Sequence, residues 1–200
     1  YKVLGLRFLD GSSVYSGDCA ILVYMTLVKF RGGNELIDSV KLLEQGGIRQ
    51  GYTVVDLGCG ASGHFVFPAA HMVGITGKVY AVDILKSVLS SIVSRGKLEG
   101  VDNVEGIWAN LEKPGSTRLP DGSVDLTILV NDLSQISDKE AVVREAARIT
   151  KSGGTLLVGD WKKTVSPLGP PSQWRLDPAY IKGLVKQVGF GLVKEFEAGP

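Results

Sequence analysis

Three glycines with the spacing G-x-G-x-x-G constrain this chain more than any other feature of its sequence. The stretch VVDLGCGASGHF, residues 54–65, places them at Gly58, Gly60 and Gly63. An apolar strand-like segment precedes the loop and a helix-like segment follows it, and Asp83 comes twenty residues after the last glycine. In that context the loop indicates a nucleoside cofactor whose ribose hydroxyls donate to the Asp83 carboxylate. The structural alternative is a tight turn with an Asp at a strand end.

Strand-like and helix-like segments alternate from Asn34 onward. This alternation predicts right-handed β-α-β units, so the expected fold class is α/β, Rossmann-like, with a mostly parallel central sheet and helices on both faces. Ligands of such sheets bind at the carboxyl ends of the strands. Residues 1–33 are predicted to be an N-terminal extension, an added edge strand or a lid, and residues 34–200 the main domain. The predicted strands are YTVVDLG, GKVYAVD, NVEGIWAN, SVDLTILVND, GGTLLVGDW and GLVKEFEAG.

Residues that favour helix ends predict where several helices begin. Asn34 is expected to cap the first helix, the Ser137 to Glu140 segment resembles a capping box, and Asp177 with Pro178 pairs an N-cap with a first-turn proline. The first helix is expected to bury Leu36, Ile37, Val40 and Leu43, and a later one to bury the stripe Leu85, Val88, Leu89, Ile92 and Val93.

Asp56, two residues before the first glycine, separates two classes of cofactor that bind such loops. NAD brings a pyrophosphate dianion to the glycine turn, and a carboxylate there would repel it with little water to screen the two charges. S-adenosylmethionine has no phosphate but carries a sulfonium and an ammonium group, which carboxylates attract. The predicted strand ends are rich in Asp and Asn and lack an Arg for a 2′-phosphate. Asp56 therefore favours S-adenosyl-L-methionine.

Several stretches together resemble the class I S-adenosylmethionine-dependent methyltransferases. VVDLGCGASG is similar to the first motif of that family and GKVYAVD to the second, while LPDGSVDLTILVNDL and ITKSGGTLLVGDWKK resemble the fourth and fifth strands. The branch similar to ubiquinone/menaquinone-biosynthesis methyltransferases matches best, including DWKK…GPP…R from Asp160 to Arg175. The resemblance covers about residues 34–198 and specifies the cofactor far better than the substrate.

The resemblance also implies residue roles. The glycines would line the methionine part of the cofactor, and Asp56 would hold the loop or reach the ammonium group through water. Asp83 would hold the ribose diol, Ile84 would pack on the adenine, and Asn131 would border the methyl-transfer site. Asn110 stands where many members have an Asp facing the adenine amino group, a bond that an amide oxygen could still accept. The implied cofactor-binding residues are Asp56, Gly58, Cys59, Gly60, Gly63, Asp83, Ile84, Asn110, Leu111 and Asn131.

The end of the chain departs from the family pattern, in which the sheet closes with an antiparallel hairpin. Here the sequence stops after the first strand of that hairpin. The segment YKVLGLRF is predicted to fill the vacant place, as in a circular permutation, pairing beside residues 190–197 with Tyr1 and Pro200 close in space. The alternatives are truncation, or an N-terminal lid made partly by AILVYMTLVKF, residues 20–30.

No residue stands out as a decisive catalytic group. The sulfonium is already activated, and a base is needed only if the acceptor must lose a proton. Weak candidates are Asp132, Asp160 and His64; the structural alternatives are a turn cap, a loop anchor and a cover for the pocket.

A late loop offers either an acceptor pocket for an aromatic or anionic molecule, or a packed lid with solvated charges. Its residues are Trp161, Lys162, Lys163, Trp174 and Arg175.

Composition narrows the expected partners. With 22 basic and 21 acidic residues, the net charge of +1 does not favour a broad nucleic-acid surface. Two cysteines make neither a disulfide framework nor a metal cluster, and no apolar run is long enough to span a membrane. We expect a cytoplasmic, metal-free methyltransferase with a small-molecule acceptor. The alternatives are an RNA or protein methyltransferase, a cofactor-binding module without its own catalysis, and a dehydrogenase.

Overall fold

A seven-stranded sheet organises the computed structural model, which describes residues 2–8, 34–163 and 169–198. In chain order the strands are β1 (Lys2–Phe8), β2 (Thr53–Leu57), β3 (Lys78–Asp83), β4 (Val104–Trp108), β5 (Val124–Val130), β6 (Thr150–Asp160) and β7 (Phe190–Glu197). The helices are α1 (Ser39–Gln45), α2 (Val66–Val73), α3 (Lys86–Glu99), α4 (Lys139–Ile149) and α5 (Pro178–Gln187). Short 3-10 helices cover Asn34–Leu36, Leu133–Gln135 and Ser172–Trp174.

Five of the strands are parallel neighbours, in the order β4-β3-β2-β5-β6. Helices α1, α2 and α3 pack on one face of the sheet, and α4 and α5 pack on the other. Within β2, Val54 contributes to the first of these cores, whereas Val55 and Leu57 contribute to the second, as the alternation of side chains along a strand requires. The α/β, Rossmann-like prediction is confirmed. The six predicted strands are all present as β2 to β7.

Strand β1 lies between β6 and β7 and is antiparallel to both. Lys2 pairs with Asp160 on one side and with Glu197 on the other. The prediction that YKVLGLRF pairs beside residues 190–197 is therefore confirmed, with β7 rather than β1 at the edge. Tyr1, Pro200 and the segment AILVYMTLVKF lie outside the described residues. The division of the chain at residue 34 stays a prediction.

Two of the three predicted helix starts are corrected. Asp38, not Asn34, caps α1 by accepting from the Lys41 N–H at 3.0 Å. Asp138, not Ser137, caps α4 through the Ala141 N–H at 2.8 Å. In each case an Asp lies directly before the first helical residue, where its carboxylate reaches the free N–H groups. Asp177 caps α5 as predicted, with Pro178 as its first residue.

The predicted apolar faces of two helices are broader than the buried ones. Val40 on α1 is 47 % exposed, because the helix begins four residues later than expected and Leu42 takes the inward position instead. On α3 the buried residues are Leu89, Ile92 and Gly96, while Leu85 precedes the helix and is exposed. Among the described residues, every helix is too short or too polar to cross a membrane.

Candidate functional site

The glycine loop joins β2 to α2 and is fixed to β3. The backbone N–H groups of Gly58 and Cys59 both donate to the Val82 carbonyl, at 2.9 and 3.0 Å. Gly58 has a φ of +84°, and a Cβ there would lie 2.2–2.4 Å from the carboxylate atoms of Asp132. Glycine is required at this position both by its left-handed backbone and by the carboxylate above it.

Asp83, at the end of β3, is half-buried and holds two backbone segments. Its Oδ2 accepts from the Gly60 N–H at 3.2 Å and its Oδ1 from the Leu85 N–H at 2.9 Å. The carboxylate thus joins the glycine loop to the start of α3. Each oxygen keeps a lone pair for a further donor.

A cleft of about 310 Å³ opens between the ends of β2, β3, β4 and β5. Five of the predicted cofactor residues line it, together with Asp132 from the catalytic candidates. The sequence did not point to five other cleft residues, which follow β4 and β5 in loops and in a short 3-10 helix: Ala109, Glu112, Gln135, Ile136 and Ser137. The predicted residues in its wall are Gly58, Asp83, Ile84, Asn110 and Leu111.

Cys59, Gly60 and Gly63 are predicted site residues that do not line this cleft. Burial raises the pKa of the Cys59 thiol, and the neighbouring Asp56 carboxylate raises it further. This thiol is therefore a packing group and a poor nucleophile. Gly63 allows close packing, since a Cβ there would lie 2.6 Å from Ile92 Cδ1 on α3.

Three carboxyl groups lie at the ends of neighbouring strands, two of them on the buried residues Asp56 and Asp160 and one on the half-buried Asp132. Asp56 on β2 is 2 % exposed, and burial together with the Asp83 charge raises its pKa to about 7. Burial, then Asp56, Asp160 and Asp83, raises the pKa of Asp132 well above its ordinary value. Burial raises the pKa of Asp160 to about 6, although its bonds with the Trp161 and Ser134 N–H groups act in the opposite direction. The site thus concentrates carboxyl groups whose ionisation is opposed by burial.

Three buried side-chain atoms at this site have no hydrogen-bond partner among the described residues. They are Asp56 Oδ2, Asn131 Oδ1 and Asp132 Oδ2. The Asn131 oxygen is an acceptor, and so are the two Asp oxygens when their carboxyl groups are ionised; all three come from the ends of the neighbouring strands β2 and β5. A buried acceptor without a donor costs about 1–3 kcal/mol. A ligand with several N–H donors and a positive charge would satisfy them.

Asn131 connects this cluster to a residue far away in the sequence. It is 6 % exposed and has a φ of +67°. Its Nδ2 donates to Oδ1 of Asn34. Sequence reasoning missed Asn34 as a site residue, because its expected role as a helix cap accounted for it.

Two of the catalytic candidates have partners that explain them structurally. His64 donates from Nε2 to the Ile37 carbonyl at 2.8 Å, which ties the start of α2 to the segment before α1. Asp160 accepts from the Trp161 N–H at 2.8 Å and the Ser134 N–H at 3.1 Å. The first contact gives His64 a structural role other than the predicted cover for the pocket, and the second favours the loop-anchor alternative for Asp160. Asp132 is the candidate that both lines the cleft and keeps an oxygen without a partner.

In the late loop, the described residues Trp161 and Arg175 pack against each other and against the protein. Trp161 is buried in the core, and Arg175, 4 % exposed, lies over its ring at 5.7 Å. The Arg175 guanidinium donates to the carbonyls of Pro170 and Lys162, at 2.9 and 3.1 Å. A Cβ at Gly169 would lie 2.4 Å from the Trp161 ring. These contacts favour the packed-lid alternative for Trp161 and Arg175.

Comparison with known proteins places this geometry in a family. A family model described as a methyltransferase domain matches residues 48–195. The ubiquinone/menaquinone biosynthesis C-methyltransferase UbiE of Enterobacter sp. is 37 % identical over 122 residues, which cover 60 % of this chain and 46 % of that protein. The UbiE protein of Hahella chejuensis is 33 % identical over 129 residues, covering 63 % of this chain and 49 % of the relative. The chain thus spans about half the length of these relatives.

A solved structure supports the same family assignment. A SAM-dependent methyltransferase from Aquifex aeolicus superposes with a TM-score of 0.71 at 26 % identity, covering 84 % of this chain and 94 % of that one. The chain belongs to the methyltransferase-domain family, and its class is that of the S-adenosylmethionine-dependent methyltransferases. The site fits that cofactor, because its unpartnered acceptors and buried carboxyl groups suit a cationic ligand.

Proposed function

We propose that this chain transfers a methyl group from S-adenosyl-L-methionine to a small organic molecule. The observation that carries the proposal is the set of three buried acceptors without donors, on Asp56, Asn131 and Asp132. An ammonium group has three N–H donors and a positive charge, and it matches this set in both number and sign. A pyrophosphate would add two negative charges beside carboxyl groups that already resist ionisation.

The nucleoside end of the cofactor is proposed to lie in the 310 Å³ cleft. Asp83 has lone pairs left for the ribose hydroxyls, and Ile84 supplies an exposed apolar side chain beside it. The Asn110 Oδ1 accepts from the Glu112 N–H at 3.0 Å. Because an amide oxygen has two lone pairs, it can also accept from the adenine amino group.

When bound, the cofactor supplies a methyl group on an activated sulfonium. The chain then has to align the acceptor and exclude water, which supplies much of the rate. If the acceptor must lose a proton, Asp132 is the residue we propose to take it. Its carboxyl group lies over Gly58 in the cleft, and its raised pKa means that the ionised form binds a proton more tightly than an ordinary Asp does.

The small-molecule substrate class is supported by the relatives and by charge. The UbiE proteins are C-methyltransferases of ubiquinone and menaquinone biosynthesis by name, which favours a small acceptor methylated on carbon. The net charge of +1 does not favour a broad basic surface for RNA. The cytoplasmic location stays a prediction.

A label-transfer experiment tests this proposal. The chain is incubated with S-adenosylmethionine carrying a deuterated methyl group and an extract of cellular metabolites, protein and RNA, and the label is then traced by mass spectrometry. We expect label in compounds below about 1 kDa, and none when Asp83→Ala replaces the wild-type chain. Label confined to protein or RNA would replace the small-molecule assignment with the macromolecular one. No label in any fraction would leave a cofactor-binding module.

A further inference from the structure

The amide pair formed by Asn34 and Asn131 joins two parts of the molecule that are 97 residues apart in the chain. Asn34 begins the 3-10 helix Asn34–Leu36 and lies outside the region matched by the family model. Asn131 directly follows β5 and is buried. Because the family model does not include Asn34, the contact between Asn34 and Asn131 has to be explained from the structure of this chain.

The contact fixes which way the Asn131 amide points. The Asn34 oxygen can only accept, so the Asn131 atom that faces it is Nδ2, the donor. Asn131 Oδ1, the other corner of the same amide, is then buried without a donor among the described residues. If the Asn131 amide rotated by half a turn, the Asn34 amide would have to rotate as well, because two oxygens would otherwise face each other. In the arrangement that the structure shows, Asn34 accepts from Asn131 Nδ2, and Asn131 presents its Oδ1 to the site.

Both partners are held in place by other bonds. The Asn131 N–H donates to the Gly159 carbonyl at 2.8 Å, and its own carbonyl accepts from Gln135 Nε2 at 2.7 Å. On the other side, the Ile37 N–H donates to the Asn34 carbonyl at 2.8 Å, and His64 anchors Ile37 in turn. The left-handed backbone of Asn131, with φ at +67°, costs energy that these bonds must offset.

We propose that Asn34 is a positioning residue for the ammonium group of the cofactor. It acts through Asn131, whose Oδ1 it orients to accept one N–H of that group. The inference rests on the proposed function for the identity of the ligand. The neighbouring unpartnered oxygens on Asp56 and Asp132 belong to carboxyl groups, and an ammonium group can donate to them while its charge stabilises their ionised form, which a neutral hydroxyl does not do.

The test compares two ligands and three variants by calorimetry. The ligands are S-adenosylhomocysteine and its deamino analogue, which keeps the nucleoside and the carboxylate but lacks the ammonium group. Asn34→Leu removes the acceptor at similar size, and Asn34→Asp keeps it. Glu35→Leu is the matched control, because Glu35 is an exposed residue of the same 3-10 helix. If Asn34→Leu does not fold, Asn34→Ala takes its place.

We expect Asn34→Leu to weaken S-adenosylhomocysteine about tenfold, the loss of a hydrogen bond to a charged group, and to leave the deamino analogue within about twofold. Asn34→Asp and Glu35→Leu should bind at least as tightly as the wild type. The Nδ2 protons of Asn131 should also exchange faster in Asn34→Leu, as seen by NMR.

Equal weakening of both ligands by Asn34→Leu would show a purely structural role, and no weakening would show no role; either result overturns the inference. Loss of affinity in Asn34→Asp equal to that in Asn34→Leu also overturns it. A wild-type chain that binds neither ligand would instead refute the proposed function, so the two failures are distinguishable.

Discussion

Asp56 makes the stability of the cofactor-free chain depend on pH. Its pKa is about 7 in the folded chain, against an ordinary value of 3.8, and that of Asp160 is about 6. Between about pH 4 and 7 the folded chain therefore holds protons that the unfolded chain has released. The free energy of unfolding must fall as the pH rises through this range.

We expect the melting temperature of the cofactor-free chain to rise when the pH is lowered from 8 to 5.5. Each fully linked carboxyl group contributes up to about 1.4 kcal/mol per pH unit. Asp56→Asn should flatten the profile and stabilise the chain at pH 8. Thermal unfolding at several pH values measures both. A wild-type profile that falls from pH 8 to 5.5 would contradict the raised pKa values.

Gly58 and Gly60 provide a second test at single residues. Both have positive φ, but only at Gly58 would a Cβ meet another group, the Asp132 carboxylate. Gly60→Ala should cost about 1–2 kcal/mol for the left-handed backbone alone, and Gly58→Ala distinctly more. Adding Asp132→Ala to Gly58→Ala should recover part of the difference in urea unfolding. Equal costs for the two single variants would show that Asp132 does not lie over Gly58.

At the scale of elements, α4 holds the segment that follows β4. The buried Glu145 accepts from the Gly115 N–H at 2.9 Å, from Thr117 Oγ1 at 2.5 Å and from Arg148 Nη2 at 2.7 Å. Burial alone would raise its pKa, but the bonds from Arg148, Thr117 and Gly115 lower it to about 2. Because the cleft residues Asn110 and Leu111 belong to the same segment, the hydrogen bonds to Glu145 help to hold this wall of the cleft in place.

Glu145→Ala should therefore destabilise the chain by about 2–3 kcal/mol, below the range for fully buried pairs because Arg148 is partly exposed. Glu99→Ala is the control: it breaks an exposed pair with Arg95 and should cost about 0.5 kcal/mol or less. The stabilisation from Glu145 is present above about pH 4.5 and lost as the pH falls toward 2. Urea titrations at pH 7 and 3 check these values, and equal costs for both variants would contradict them.

The elements also show what the sequence can and cannot predict. Every strand from β2 to β7 was predictable, because each is a short run of strand-like composition bounded by turn residues. The residues at which the helices start were harder to predict. Asp, Asn and Ser are all favoured at the N-cap of a helix, so the sequence does not rank Asp38 above Asn34. The three-dimensional path of the chain decides which of the two lies directly before the helix.

At the scale of the molecule, β1 completes the sheet by separating β6 from β7. Leu4 pairs with Val158 on one side and with Glu195 on the other. A proline there removes a backbone donor inside a sheet and should cost about 3 kcal/mol or more. Leu4→Val, which keeps the N–H, is the control.

We expect Leu4→Pro to lower the melting temperature both with and without S-adenosylhomocysteine, and Leu4→Val to change it little. Differential scanning calorimetry distinguishes this from a lid. A variant that keeps the stability of the free chain and loses only ligand affinity would place residues 2–8 in a lid role instead.

The site itself was only partly predictable for a related reason. Residues near the glycine motif, such as Asp56 and Asp83, follow from spacing along the chain. Asn34 and the network at Glu145 depend on contacts between distant segments, and no local pattern indicates them. The predicted binding roles of Asp56, Asp83 and Asn131 stay predictions until a ligand is bound.

Titration calorimetry at pH 7 with S-adenosylhomocysteine and, separately, with NAD tests most directly whether this buried acidic site binds the ammonium group of the cofactor. We expect S-adenosylhomocysteine to bind and to release protons, because its ammonium group stabilises the ionised form of Asp56, whose pKa is about 7 in the free chain. Two buffers of different ionisation enthalpy reveal that release, and Asp56→Asn should reduce it. NAD should give no binding heat. Tight binding of NAD with none of S-adenosylhomocysteine would contradict the assignment.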